Sequence, residues 1–177
     1  MMKLLTHVAV VGAAIASSAA FAQTCSENIT PSHPEGQYIA DNGTVTDVVN
    51  GLEWRLCTLG QTANGTSCSG TPTSYQTWQQ ALQAASLNTS FGGFDDWRLP
   101  NIKELASLVE HSCIAPAIDL TYFPDTPSSP YWTNTPDGFD VNTAVGLEGL
   151  LIDFNDGTEF VTDTVTRRYI RMVRKLN

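Results

Sequence analysis

Four cysteines downstream of an apolar leader constrain this chain more than any other feature of its sequence. Residues 1–22 read as an export signal. Lys3 and His7 supply a short positive start, residues 8–16 an apolar stretch, and Ala20-Phe21-Ala22 a small-x-small cleavage site before Gln23. The apolar stretch is well short of the ~20 residues a membrane-spanning helix needs, and no later stretch is apolar for long enough. Ala22-Gln23-Thr24 ahead of Cys25 is too polar for a lipidation box. The product is therefore expected to be secreted, periplasmic or displayed at the cell surface, and not membrane-spanning. Outside a reducing cytosol an even set of cysteines pairs, so two disulfides are expected. Cys57 and Cys68 flank a loop rich in Gly, Thr, Ser and Asn, which suits a local staple. That leaves Cys25 to tie the N-terminal segment to Cys113. A zinc site does not fit, because there is no Cys-x-x-Cys and His33 and His111 lie at no ligand interval.

Removal of the leader leaves residues 23–177, room for one domain and one core. With 42% apolar and 15% charged residues, the chain is neither disordered nor a coiled coil. Loss of Lys3 leaves 8 basic residues against 18 acidic ones, a net charge of −10. Such a surface repels polyanions at long range, so nucleic acid is not an expected partner.

Residues 23–37 carry Pro31, Pro34 and Gly36 without periodicity and read as a tail held mainly by Cys25. Between 43 and 56 the apolar residues are interrupted by Asn50-Gly51, the strongest short hairpin signal, which predicts two strands. Trp78, Ala81, Leu82 and Ala85 predict a helix over 74–88, capped by Thr73 or Ser74. A second helix is predicted from Ile102 to about Ser112, with Asn101 and Glu104 as a capping box. Prolines 116, 124, 127, 130 and 136 exclude regular helix and predict a long ordered connection, with a short strand at Tyr131-Trp132-Thr133-Asn134. Asn155-Asp156-Gly157 predicts a hairpin between 150–154 and 158–162. The last strand is expected over 169–176, with arginines on both faces. This order of elements is an α+β pattern whose opening and closing strands can pair.

Asp96-Trp97-Arg98-Leu99-Pro100-Asn101-Ile102-Lys103-Glu104-Leu105 resembles a block of the Lcl C-terminal-domain family, a bacterial exported domain. Asp41-Asn42-Gly43-Thr44-Val45-Thr46-Asp47 with Gly51-Leu52-Glu53-Trp54 resembles the family's opening. Trp78-Gln79-Gln80-Ala81-Leu82 resembles its first helix, and Pro116-Ala117-Ile118-Asp119 with Phe123-Pro124 its middle loop. Tyr131-Trp132-Thr133-Asn134 and Tyr169-Ile170-Arg171-Met172-Val173-Arg174 resemble its closing blocks. The resemblance runs over about 41–175, which sets a signal at 1–22, an N-terminal tail at 23–40 and the domain at 41–177. It implies a C-type-lectin-like α+β domain, with two helices packed against short antiparallel sheets and paired terminal strands. The related formylglycine-generating enzymes share the Arg-Leu-Pro-x-x-x-Glu helix start. Their chemistry needs a late reactive cysteine pair, and no cysteine follows Cys113. The family's namesake domain is an adhesin module for sulfated glycosaminoglycans, which implies basic residues that this acidic chain has in short supply.

No enzyme signature is present: there is no Gly-x-Ser-x-Gly elbow, no phosphate-binding glycine loop and no His-rich metal site. Arg98, Asn101 and Glu104 read as a structural network holding loop to helix. Trp54 and Trp78 read as core, whereas Trp97 and Trp132 adjoin loops and are the better ligand candidates, with Asn134 beside them. Five of the eight remaining basic residues fall in the last eleven: Arg167, Arg168, Arg171, Arg174 and Lys175. They form either an anion patch, with Arg171 and Arg174 as ligand contacts, or partners for the surrounding carboxylates. The acidic excess favours pairing. Aspartates 41, 47, 95, 96, 137, 140, 153 and 156 cluster in loops. No cofactor is expected, and calcium is the one ion such oxygens would suit, although no EF-hand loop is present. The function expected is a non-enzymatic binding module for a glycan or protein at the cell surface, in adhesion. The alternative is a structural or assembly subunit of an extracellular appendage, and the oligomeric state is open.

Overall fold

Alternation of apolar and polar residues builds the main sheet. In a computed structural model, which describes residues 22–138, 148–161 and 167–176, Thr44–Asp47 (β3) and Leu52–Arg55 (β4) point every second side chain inward. The Asn50-Gly51 turn joins them as expected, and Asp47 closes it by accepting from the backbone N–H groups of Val49 and Asn50. Tyr38–Asp41 (β2) adds to one edge and Val173–Lys175 (β11) to the other, giving the antiparallel order β11-β4-β3-β2. Val45, Trp54 and Val173 lie opposite one another across three strands, all fully buried. The pairing of opening and closing strands is thus present.

A second sheet, order β10-β9-β8, is formed by Thr158–Phe160, Gly149–Asp153 and Pro130–Pro136. Its hairpin turns at the expected Asn155-Asp156-Gly157. Gly157 has φ +83°, and a Cβ there would lie 2.5 Å from Val109 Cγ1, so the turn requires glycine. Two ribbons complete the strands: Thr24–Cys25 (β1) with Cys113–Ile114 (β7), and Thr62–Asn64 (β5) with Ser67–Ser69 (β6). Both expected disulfides form: Cys25–Cys113 cross-links the first ribbon, and Cys57–Cys68 ties β6 to the segment that follows β4.

Both expected helices form, and both are shorter than their apolar periodicity. Helix α1 spans Trp78–Ser86, with Thr77 as N-cap in a capping box with Gln80, rather than starting at Ser74. The residues before it are taken by long-range bonds: Thr73 N–H donates to Leu59 O and Tyr75 N–H to Arg168 O. Helix α2 spans Ile102–Ala106 and ends well before Ser112. Its Asn101–Glu104 capping box is formed as expected. Beyond it, Val109 bridges to Ile118 and Glu110 N–H donates to Ala117 O, which draws the chain out of the helix. Leu105, Leu108 and Val109 nevertheless remain buried, because successive turns keep them on one side.

The segment expected as a loose tail is tied in several places. Besides the disulfide, Gln23 Nε2 donates to Pro116 O and Ile118 O, both at 2.7 Å. Ser32 N–H and Oγ donate to Glu110, and Tyr38 enters the core. Strand β11 covers only three residues of the expected 169–176. Residues 1–21 of the expected leader (1–22), Asp140, residue 162 and Asn177 lie outside the described residues.

Candidate functional site

Trp97 and Trp132, expected as ligand contacts, are 1% and 3% exposed. Their indole N–H groups donate to Phe91 O and Tyr75 O, each at 2.9 Å, so burial leaves no unpaired donor. Trp97 reaches only the floor of a shallow groove of about 230 Å³ beside α1, which it shares with Arg98 and Asn134. Asn134 is the exposed member of the expected set.

Arg171 and Arg174 are 0% and 4% exposed, so two of the five C-terminal basic residues are withdrawn from the surface, while Arg167 and Lys175 stay exposed. Arg174 lies opposite Glu53 in the sheet and its Nε donates to Glu53 Oε2 at 2.7 Å. Its guanidinium also sits 3.4 Å from the Phe94 ring centre. Arg171 has no carboxylate partner among the described residues. Its Nη1 donates to the carbonyls of Arg55 and Leu56, and its Nη2 to Thr126 Oγ1 at 2.7 Å. Burial pushes the Arg171 guanidinium below its ordinary pKa and pushes the neighbouring Tyr131 hydroxyl up to about 12. Both arginines brace the sheet from inside, and the ligand role expected for them gives way to packing.

Arg98 and Glu104 form a two-pronged ion pair, 2.8 Å at each contact, and Glu104 Oε2 also accepts from Asn101 N–H at 2.8 Å. Burial alone would raise Glu104, but the Arg98 and Asn101 bonds outweigh it and hold the carboxyl below its usual value. Glu110 is depressed in the same way: burial opposes ionisation, and bonds from Ser112 and Ser32 override it. Such groups add stability that is complete above the unfolded-state pKa, near 4.5, and is lost as pH falls through the lower folded values. Urea unfolding from pH 7 to pH 3 is expected to show a plateau, then a steep acid decline beginning below about pH 4.5. The decline should flatten in Glu104→Gln and Glu110→Gln. An unchanged acid limb in both variants would assign it to other carboxylates.

The loop aspartates mostly serve turns. Asp153 accepts from Asn155 N–H at 2.7 Å and Asp156 from Thr158 N–H at 3.1 Å. Among the described residues, no three His, Cys, Asp or Glu side chains gather as a metal site.

Two adjoining recesses lie elsewhere, at the β2–β3 turn and the β5–β6 hairpin. Asn42 and Gly43 have φ of +46° and +85°, the pairing a two-residue hairpin turn requires. The first cleft, about 430 Å³, lies between this turn and the hairpin, with Asp41, Asn42, Thr44, Thr66 and Thr121 over a floor of Leu56 and Ala63. A second, about 270 Å³, shares Gly43 and Ala63 and is lined also by Arg55, Gln61, Thr62 and Phe91. The Cys57–Cys68 bond and the Cys68 N–H donation to Asp125 (2.9 Å) fix one wall. Sequence reasoning missed this site. The available signal was Asn42-Gly43, a second Asn-Gly pair that builds the turn beneath the first cleft.

Comparison with curated proteins and with solved structures finds no match. The profile of the Lcl C-terminal domain matches residues 43–174, most of the chain and every block on which the sequence resemblance rested, so this chain belongs to the Lcl C-terminal domain family.

Proposed function

We propose that this domain is an exported, non-enzymatic recognition module with a C-type-lectin-like fold, binding a carbohydrate at or beyond the cell surface. The observation that carries the reading is the 430 Å³ cleft, where threonine hydroxyls, an Asn amide and the Asp41 carboxylate edge an apolar floor. That lining offers both donors and acceptors to hydroxyl groups and a hydrophobic face to a sugar ring. Two disulfides support an oxidising location, and one of them stiffens the cleft wall before any ligand arrives.

A glycan array probed with the exported chain tests the reading. Binding to a restricted set of saccharides, lost on Thr66→Val together with Thr44→Val, is the expected result. A blank array would remove it. Sulfated polyanions are not the expected ligand, since Arg171 and Arg174 are buried and the −10 charge opposes approach beyond about 8 Å at physiological salt. Heparin at about 0.15 M salt, where that screening length applies, is expected to retain the chain weakly or not at all. Firm retention abolished by Arg167→Ala with Arg168→Ala would restore the glycosaminoglycan reading.

A further inference from the structure

Arg55 differs from the ion-paired arginines on and beside the main sheet. Arg174 meets Glu53 and Arg98 meets Glu104, but Arg55 has no carboxylate partner among the described residues. In a chain with twice as many acidic as basic residues, a half-buried cation left without a counter-ion is unusual. Its guanidinium lies 4.6 Å over the Phe91 ring and 5.4 Å from that of Trp97. Among the described residues it donates only from Nη2, to Asn88 O at 2.6 Å and Ser90 O at 3.3 Å. Nε is sealed and unpartnered, whereas Nη1 carries no hydrogen bond and keeps solvent access. These carbonyls and the ring fix the group in place without neutralising it. Arg55 lines the 270 Å³ cleft, in which there is no Asp or Glu.

We propose that Arg55 anchors a carboxylate subsite, and that the two adjoining clefts take an acidic saccharide with one sugar carboxylate on Arg55 and its hydroxyls along Thr44 and Thr66. This rests on the carbohydrate reading above. One fixed cation matches one negative charge; a densely sulfated chain brings many, against the acidic surface and against Asp41 in the adjoining cleft. Nη1 is left to give one charge-assisted bond to a carboxylate oxygen, and such a bond in a recess is stronger than one in open water. Burial holds Arg55 below its ordinary pKa, the direction a bound anion would reverse. Gly43 and Ala63 line both clefts and lie close together; a Cβ on Gly43 would come within 3.2 Å of Ala63 Cβ and 3.4 Å of Phe91 Cζ, so the low divide between the clefts is kept by glycine.

Titration calorimetry of the exported chain with a short α-1,4-galacturonan oligomer, and with the methyl ester of the same oligomer, tests the subsite. The acid is expected to bind at least tenfold more tightly, and that ratio should collapse toward one in Arg55→Met. NMR titration of the unmodified chain supplies a readout that needs no variant: the acid should shift the Arg55 Nε–H signal and the amides of Gly43, Ala63 and Phe91. Equal affinity for acid and ester, or shifts confined to another face, overturns the subsite and leaves the carbohydrate reading standing. Failure of both oligomers with array hits confined to neutral sugars has the same meaning. Failure of both with a blank array removes the subsite and the carbohydrate reading together.

Discussion

Arg174→Ala is expected to lower the unfolding free energy by about 3–5 kcal/mol, the usual cost of breaking a buried ion pair from one side. The Arg174 side chain is 4% exposed and that of Glu53 12%, so little water can replace the lost contact. Truncation strands the Glu53 carboxylate on β4, removes the guanidinium from the Phe94 ring and frees the Lys175 carbonyl, which accepts from Nη1 at 3.0 Å. For a chain of this length the loss corresponds to a fall in Tm of roughly 6–20 °C. A cycle with Glu53→Ala separates the pair from the packing, and a coupling above about 1 kcal/mol is expected for neighbours in direct contact. A loss no larger than the surface-substitution range of about 0.5 kcal/mol would show that Arg174 is held without being needed. Arg98→Ala should cost less, because the Arg98 side chain remains 35% exposed and water can rehydrate part of the site.

The second large effect concerns the N-terminal segment. Replacing Cys25 and Cys113 by serine opens a loop closed over a separation of 88 residues, worth about 4.5 kcal/mol in the chain-entropy model. The β1–β7 ribbon and the two Gln23 donations would loosen with it, since few other contacts hold residues 23–31. The same change at Cys57 and Cys68, separated by 11, should cost roughly 3 kcal/mol. It is also expected to weaken ligand binding, because that bond stiffens the cleft wall. Urea unfolding of the two double variants checks the order. A larger loss from the short loop would mean that the tail is already ordered in the unfolded chain, or that the hairpin wall carries more of the fold than its length suggests.

The parts legible in the sequence share a short physical range. The Cys57–Cys68 staple, the Asn50-Gly51 hairpin and the Asn101–Glu104 capping box are all specified by residues within about a dozen positions of one another. The α+β pattern followed from such local signals in series, and Cys25–Cys113 followed by elimination once the short pair was assigned. The ends of both helices were not legible, because Leu59, Ala117 and Arg168 compete for the flanking backbone groups from distant parts of the chain.

Side-chain fate was the least legible property. An arginine near the C-terminus reads as a surface charge until the fold sets the Arg55 and Leu56 carbonyls against Arg171, more than a hundred residues away. The same holds for Trp97 and Trp132, which adjoin loops in the sequence and are buried, with their indole N–H groups bound to backbone carbonyls. The sequence by itself determined the cross-links, the turns and the apolar faces, since covalent geometry, backbone preference and periodicity act between near neighbours. Only the tertiary structure decided which charges are buried and which stay reachable. Burial and pairing depend on what the rest of the chain brings alongside, and Arg55, with no carboxylate partner among the described residues and an open cleft beside it, is the residue for which that mattered most.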